Sequence, residues 1–143
     1  MKIKTKMVSL AMAVVFTLTV NVPAFAASTV PAKSSSGIHI MLVNTDDARA
    51  AINFDGTCAN CSGVVDGKSG TTKITATGLL KRVNSNGTTT VKYWTASANG
   101  DTLFFDKNYY VASGYTYEFE IVAKVYRNGT MENISISDTA YCG

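Results

Sequence analysis

The stretch Gly114–Tyr126, GYTYEFEIVAKVY, decides the fold. Tyr115, Tyr117, Phe119, Ile121, Ala123 and Val125 fall on one face of an extended chain, while Thr116, Glu118, Glu120 and Lys124 fall on the other. A period of two predicts a strand with one side in a core and the other in water. Asn128-Gly129 follows, a pair suited to a two-residue hairpin turn because both positions tolerate positive φ. Glu132 to Cys142 then reads as the returning strand, with Ile134, Ile136 and Ala140 on its apolar face.

Working upstream, the same pattern repeats between clusters of turn residues. Ala50, Ile52 and Phe54 alternate with Arg49, Ala51 and Asn53 before Asp55-Gly56. Thr57 to Asp66 ends at Gly67-Lys68-Ser69-Gly70, and Thr71 to Val83 ends at Asn84-Ser85-Asn86-Gly87. Thr88 to Ala98 stops at Asn99-Gly100, and Thr102 to Phe105 is a short segment followed by the polar Asp106-Lys107-Asn108. No Pro occurs after Pro31, as suits a sheet that needs every backbone donor. About seven strands with evenly spaced turns and no helical period predict an all-β fold, an antiparallel β-sandwich. Ile38 to Val43 (IHIMLV) is too short for its period to tell a strand from a helix fragment, and Asn44-Thr45-Asp46-Asp47 after it reads as a turn.

The N-terminal stretch has a different logic. Lys2, Lys4 and Lys6 precede an apolar run from Met7 to Val20, then Pro23 and the small-x-small triplet Ala24-Phe25-Ala26. This is the pattern of a secretory signal peptide over 1–26, cleaved after Ala26. Residues 27–37 read as a flexible tether, small and polar, and 38–143 as the β-sandwich domain. The whole chain carries 13 basic and 10 acidic residues, a formal charge of +3. The leader holds three of the lysines and no acid, so the exported chain is neutral, which argues against a nucleic-acid partner or an anionic-membrane binder. No later run is long enough for a membrane span.

The strand opening Gly-Tyr-x-Tyr resembles the penultimate strand of immunoglobulin-like domains, in which a Tyr near the strand start bonds back to a neighbouring loop. Tyr115 or Tyr117 is expected in that role. Beyond this, the order V-x-G-x-x-G-T-T-K-I (Val65 to Ile74), V-K-x-W (Val91 to Trp94), Y-x-V-x-x-G-Y-x-Y (Tyr109 to Tyr117) and V-Y-x-N-G-x-x-E (Val125 to Glu132) is similar to that of a family of small secreted Gram-positive bacterial proteins of unknown function. The resemblance spans about residues 49 to 141 and rests on turn and core positions. It implies fold and export, and supplies no catalytic residue.

The three cysteines are Cys58, Cys61 and Cys142. In an oxidising compartment a disulfide is the default. Joining Cys58 to Cys61 requires a turn at Ala59-Asn60, because three strand residues span about 10 Å. In an extended segment Cys61 shares a face with Ala59, Gly63 and Val65, and Cys142 shares one with Ile134, Ile136 and Ala140. The start of the second strand and the end of the last lie at one end of an immunoglobulin-like sandwich. A Cys61 to Cys142 bridge is expected, with Cys58 to Cys142 as the alternative should a bulge reverse the parity. A leftover Cys58 would offer a route to a dimer. The sole histidine, His39, would complete a Cys₃His set with Cys58, Cys61 and Cys142, enough by count for tetrahedral zinc, but one CxxC without a second motif argues for no metal.

No nucleophile-elbow, zinc-protease or phosphate-loop motif occurs, and His39 has no evident triad partners. No enzyme and no cofactor are expected. The aromatic pairs Tyr93-Trp94, Phe104-Phe105 and Tyr109-Tyr110 must each send one ring away from the core wherever they are extended. Matching Trp94 to the family pattern places it inside, which puts Tyr93 outside beside Thr95 and Ser97. Tyr93, Tyr109 and Tyr110 are the candidate contact residues. The expectation is a secreted, non-enzymatic interaction module that takes an unknown protein or an envelope polysaccharide through an aromatic sheet face or by strand addition at an edge. The alternative is a secreted antagonist, a small inhibitor or bacteriocin-like toxin.

Overall fold

The computed structural model describes residues 42–143. The expected leader, the tether and His39 lie outside the described residues. Seven strands follow in order: β1 (Thr45–Asp55), β2 (Cys58–Gly67), β3 (Thr71–Asn84), β4 (Gly87–Asn99), β5 (Thr102–Tyr110), β6 (Tyr115–Arg127) and β7 (Thr130–Cys142). They form two sheets, β1-β2-β5 and β4-β3-β6-β7, with every neighbouring pair antiparallel. The all-β, two-sheet architecture read from the sequence is the one observed.

β6 sits at the centre of this arrangement because its alternation is the cleanest. Tyr117, Phe119, Ile121, Ala123 and Val125 are all buried, facing Ala59, Cys61 and Val65 of β2 and Leu103 and Phe105 of β5 across the core. Removing a large side chain such as Phe119 or Ile121 from water stabilises the fold by about 1.5–3 kcal/mol. The ring of Phe119 packs edge-on against Phe105 at 6.1 Å and Trp94 at 6.4 Å. Gly78 of β3 makes the room: a Cβ there would lie 2.9 Å from Phe105 Cε1 and 3.0 Å from Phe119 Cε2. Asn128 and Gly129 both have positive φ, 50° and 74°, so the β6–β7 hairpin turns where the sequence indicates.

Two local expectations are corrected. Asn44 to Asp47 is not a turn, because β1 already begins at Thr45, with a bulge between Thr45 and Asp47. β5 does not stop at Phe105. It runs through Asp106-Lys107-Asn108 to Tyr110, because Asp106 and Asn108 sit opposite Ser62 and Asn60 on the wet face while Leu103 and Phe105 fill the core.

The free edges of β1 and β7 face each other, and side chains tie them. Ile52 N–H donates to Asp138 Oδ2 at 3.0 Å. Glu132 accepts from the backbone N–H groups of Val43, Asn44 and Thr45. The buried amide of Asn44 reaches the Val125 carbonyl at 3.2 Å. Inward-pointing acids on an edge strand thus satisfy backbone donors that no strand pairs, and close this side of the sandwich.

Candidate functional site

The outer face of the four-stranded sheet holds a trough of about 560 Å³ across β4, β3 and β6. Register builds it row by row. Ser97, Thr75 and Lys124 stand side by side in one row, and Thr95, Thr77 and Val122 in the next. Apart from Lys124 these side chains are short compared with the residues at either end, so the floor is lined by four hydroxyl groups. Asn99, Lys73 and Tyr126 form the row at one end, with Lys73 and Lys124 on adjacent rows. Neither lysine takes part in an ion pair among the described residues.

Beyond the floor in the other direction lies the row of Tyr93, Leu79 and Glu120. Tyr93 is 65 % exposed, and its outward position beside Thr95 and Ser97 is the one inferred from the sequence. Here charge is locked. Lys81 Nζ pairs with both Glu118 and Glu120, and Ser135 donates to Glu120. The hydrogen bond from Lys81, supported by Ser135, holds the Glu120 carboxyl below its usual range against the cost of desolvation. Desolvation pulls Lys81 down, but its bonds and attraction to the two glutamates outweigh that and raise it. The trough therefore has one end carrying Tyr93, where one lysine is shared by two carboxylates, and a cationic end carrying Lys73 and Lys124.

The other expected contact residues do not join Tyr93. Strand alternation places Tyr110 (76 % exposed) on the outer face of the three-stranded sheet, beside Cys58 and Asp55. Tyr109 turns the opposite way, between the sheets: its ring meets Trp94 edge-on at 6.4 Å and lies 5.5 Å from Lys92 Nζ. One proposed surface thus resolves into three locations. A shallower groove of about 500 Å³ on the three-stranded sheet contains Arg49, Ser62, Val64, Phe104 and Asp106.

The cysteines also separate. All three are free thiols, so neither the Cys61 to Cys142 bridge nor the Cys58 to Cys142 alternative is formed. The faces were read correctly, since Cys61 and Cys142 are both buried, and the ends do meet: Cys142 Sγ lies 3.6 Å from the carbonyl of Gly56 in the β1–β2 turn. Depth and parity conflict. Cys58 is near that turn but shares its face with Asp55 and Tyr110, whereas Cys61 points inward but lies three residues, about 10 Å, further along β2. No cluster of three metal-ligating side chains occurs among the described residues, so Cys58, Cys61 and Cys142 do not gather there; His39, the fourth member of the zinc set, lies outside them. Burial, aided by Cys58, pushes the Cys61 thiol up to about 12, the opposite of a reactive thiolate.

No family model matches this chain, and no curated protein matches it. Among solved structures it is similar to one described as the solution structure of R. palustris CsgH, at 9% identity and a TM-score of 0.39, covering 67% of this chain and 91% of that one. What the site can do therefore follows from its own residues.

Sequence reasoning found Tyr93, Thr95 and Ser97 but not Thr75, Thr77, Lys73 and Lys124. Their signal was present, since Lys73, Thr75 and Thr77 share one parity in β3 opposite the buried Ile74 and Ala76. What was missing was the register that sets β3 between β4 and β6.

Proposed function

We propose that this protein is a secreted, non-enzymatic module that binds an envelope polysaccharide in the trough of its four-stranded sheet. The observation that carries the reading is the sequence of surfaces along that trough: an exposed aromatic ring at Tyr93, a floor of Thr75, Thr77, Thr95 and Ser97, and, in the last floor row and the row after it, Lys124 and Lys73, neither in an ion pair among the described residues. A ring offers an apolar plane with a polar tip, and fixed hydroxyls donate and accept, which suits a sugar chain presenting both carbon faces and hydroxyl groups. Lys73 and Lys124 favour a polymer with carboxylate or phosphate substituents.

Shape supports binding rather than catalysis. The trough is open along the sheet, so an extended polymer can lie in it, whereas a catalytic pocket encloses its substrate and sheds water. Its nearest carboxylates, Glu118 and Glu120, are held by Lys81 and Ser135 and are poorly placed to move protons. Export is supported by the basic, then apolar, then small-residue pattern of residues 1–26, and cell-surface presentation by the polar tether after it.

An immunoglobulin-like relationship is supported by the strand order and by one hydrogen bond. Tyr117, near the start of β6, donates its hydroxyl to the carbonyl of Ala112 at 2.9 Å, the arrangement of a tyrosine corner. Of the two tyrosines considered from the sequence, Tyr117 has the buried ring.

Retention on purified, protein-free cell wall tests the function. The wild-type protein is retained, Tyr93→Ala and the double variant Lys73→Ala/Lys124→Ala are each retained several-fold less, and Tyr110→Ala is unaffected. Equal retention of all four, or none of the wild type, overturns the proposal.

A further inference from the structure

The two sides of the sandwich treat their edges differently. On the β1/β7 side, Asp138 accepts from the Ile52 N–H, and Glu132 from the N–H groups of Thr45 and of Val43 and Asn44 before it. On the other side, β4 and β5 are each paired along one edge only. β5 carries Asp106 and Lys107 in mid-strand, charges of the kind that discourage strand addition. β4 has no such guard over Tyr93–Asn99, YWTASAN, which contains no charge, no Pro and no bulge; the bulge of β4 is the extra residue Val91, between Lys92 opposite Leu80 and Thr90 opposite Lys81, and lies outside that span. Lys92 itself is turned inward over the Tyr109 ring.

The geometry points to a second copy of this chain as the occupant of that edge: we propose that two copies pair β4 to β4, antiparallel, about a two-fold axis at Thr95. An isologous contact must be self-complementary, and side-chain volume selects this register. With Thr95 opposite Thr95, Tyr93 lies opposite Ser97 of the partner subunit, Trp94 opposite Ala96 of the partner subunit, and Lys92 opposite Ala98 of the partner subunit. Each large side chain meets a small one on the same face, Thr meets Thr at the axis, and no like charges are opposed, the combinations that stabilise cross-strand pairs. Centring on Tyr93 instead would set Tyr93 against itself and bring Lys92 against Trp94, although both Lys92 and Trp94 already pack on Tyr109 within their own subunit. The four-stranded sheets then join into one of eight strands. The Thr95 and Ser97 rows of the two troughs meet at the seam, giving a single continuous surface.

Sedimentation velocity of the mature protein over a concentration series, in reducing agent so that Cys58 cannot link chains, tests this. The wild type shifts from monomer toward dimer as concentration rises. Thr95→Lys, which opposes two ammonium groups at the axis on an exposed position, stays monomeric with an unchanged circular dichroism spectrum, and Thr95→Ser still dimerises. With Cys58→Ser as background, Thr95→Cys gives a disulfide-linked dimer on mild oxidation, while Thr139→Cys on β7 does not. A wild type that remains monomeric at every concentration, or a Thr95→Lys variant that dimerises as the wild type does, overturns the proposal. Neither result depends on whether the trough binds a glycan.

Discussion

Thr45 donates both its backbone N–H and its hydroxyl to one oxygen, Oε2 of Glu132, at 2.9 and 2.8 Å. The N–H groups of Asn44 and Val43 complete the set around the same carboxylate, at 2.9 and 2.7 Å. One side chain on β7 therefore holds the chain where it enters β1, and supplies acceptors to three successive amides that have no strand to pair with.

Replacing that carboxylate should be costly in a graded way. Glu132→Ala leaves the amides of a part-buried segment without acceptors and is expected to destabilise by about 3 kcal/mol, whereas Glu132→Gln, which keeps one acceptor oxygen, should lose about 1–2 kcal/mol. Urea denaturation of both variants measures this. Equal, near-zero losses would show that the N-terminal segment contributes nothing to the fold.

Acid should reveal the same contact. Burial acts to raise the Glu132 carboxyl, but the Thr45 hydroxyl and the three amides outweigh it and the net shift is downward. A group whose folded-state value is depressed contributes stability that is complete above its ordinary range, near 4.5, and is withdrawn as pH falls through the lower folded value. Glu120 is shifted in the same direction by Lys81 and Ser135. Stability measured by urea midpoint should therefore fall below about pH 4.5 less steeply in Glu132→Gln than in the wild type. Identical slopes would remove Glu132 from the acid response.

The hydrogen bond from Tyr117 to the Ala112 carbonyl gives a sharper comparison. Tyr117→Phe removes one hydrogen bond to Ala112 and keeps the buried ring, so a loss of about 1 kcal/mol is expected. Tyr115→Phe should be close to neutral, because the Tyr115 ring is 43 % exposed and its contact is the Arg82 guanidinium 4.8 Å above the ring, which Phe preserves. Thermal melts that reverse this order would show that the Tyr117 hydroxyl contributes less to stability than that of Tyr115.

Core packing is tested at Gly78. A methyl group there would have to displace the Phe105–Phe119 ring pair, which predicts a loss of about 1–3 kcal/mol for Gly78→Ala. A stabilised variant in chemical denaturation would mean that the rings relax freely.

Thiol labelling separates the cysteines. Cys58 is half-buried and should react first under native conditions, while Cys61 and Cys142 should become reactive only on unfolding. Native mass spectrometry that finds the protein lighter by the hydrogens of a disulfide would contradict the free-thiol arrangement.

The fold was largely legible because its strongest signals are local. The alternation of Tyr117 to Val125 and the Asn128-Gly129 turn follow from period two and turn chemistry, whereas alternation says only that one of Tyr93 and Trp94 points outward, and the resemblance to the family pattern is what chooses Trp94 for the inside. The full length of β5 is not legible, because Asp106-Lys107-Asn108 looks like a turn in isolation and only pairing with Ser62, Cys61 and Asn60 makes it a strand. The disulfide reading failed on a quantity the sequence does not carry, the depth of Cys61 relative to Cys142 across two sheets. The trough lay between: its residues have a readable parity, but their assembly depends on which strands are neighbours, and Glu132 showed only as the first residue of a strand until its partners came from the far end of the chain.

The most direct test of the account is an amide chemical-shift titration of the protein with soluble fragments of the cell-wall polysaccharide. The account predicts saturable shifts at Thr75, Thr77, Tyr93, Thr95, Ser97 and Lys124, with Phe104, Asn108 and Tyr110 unchanged. Shifts confined to the three-stranded sheet, or none at any fragment concentration, would contradict it.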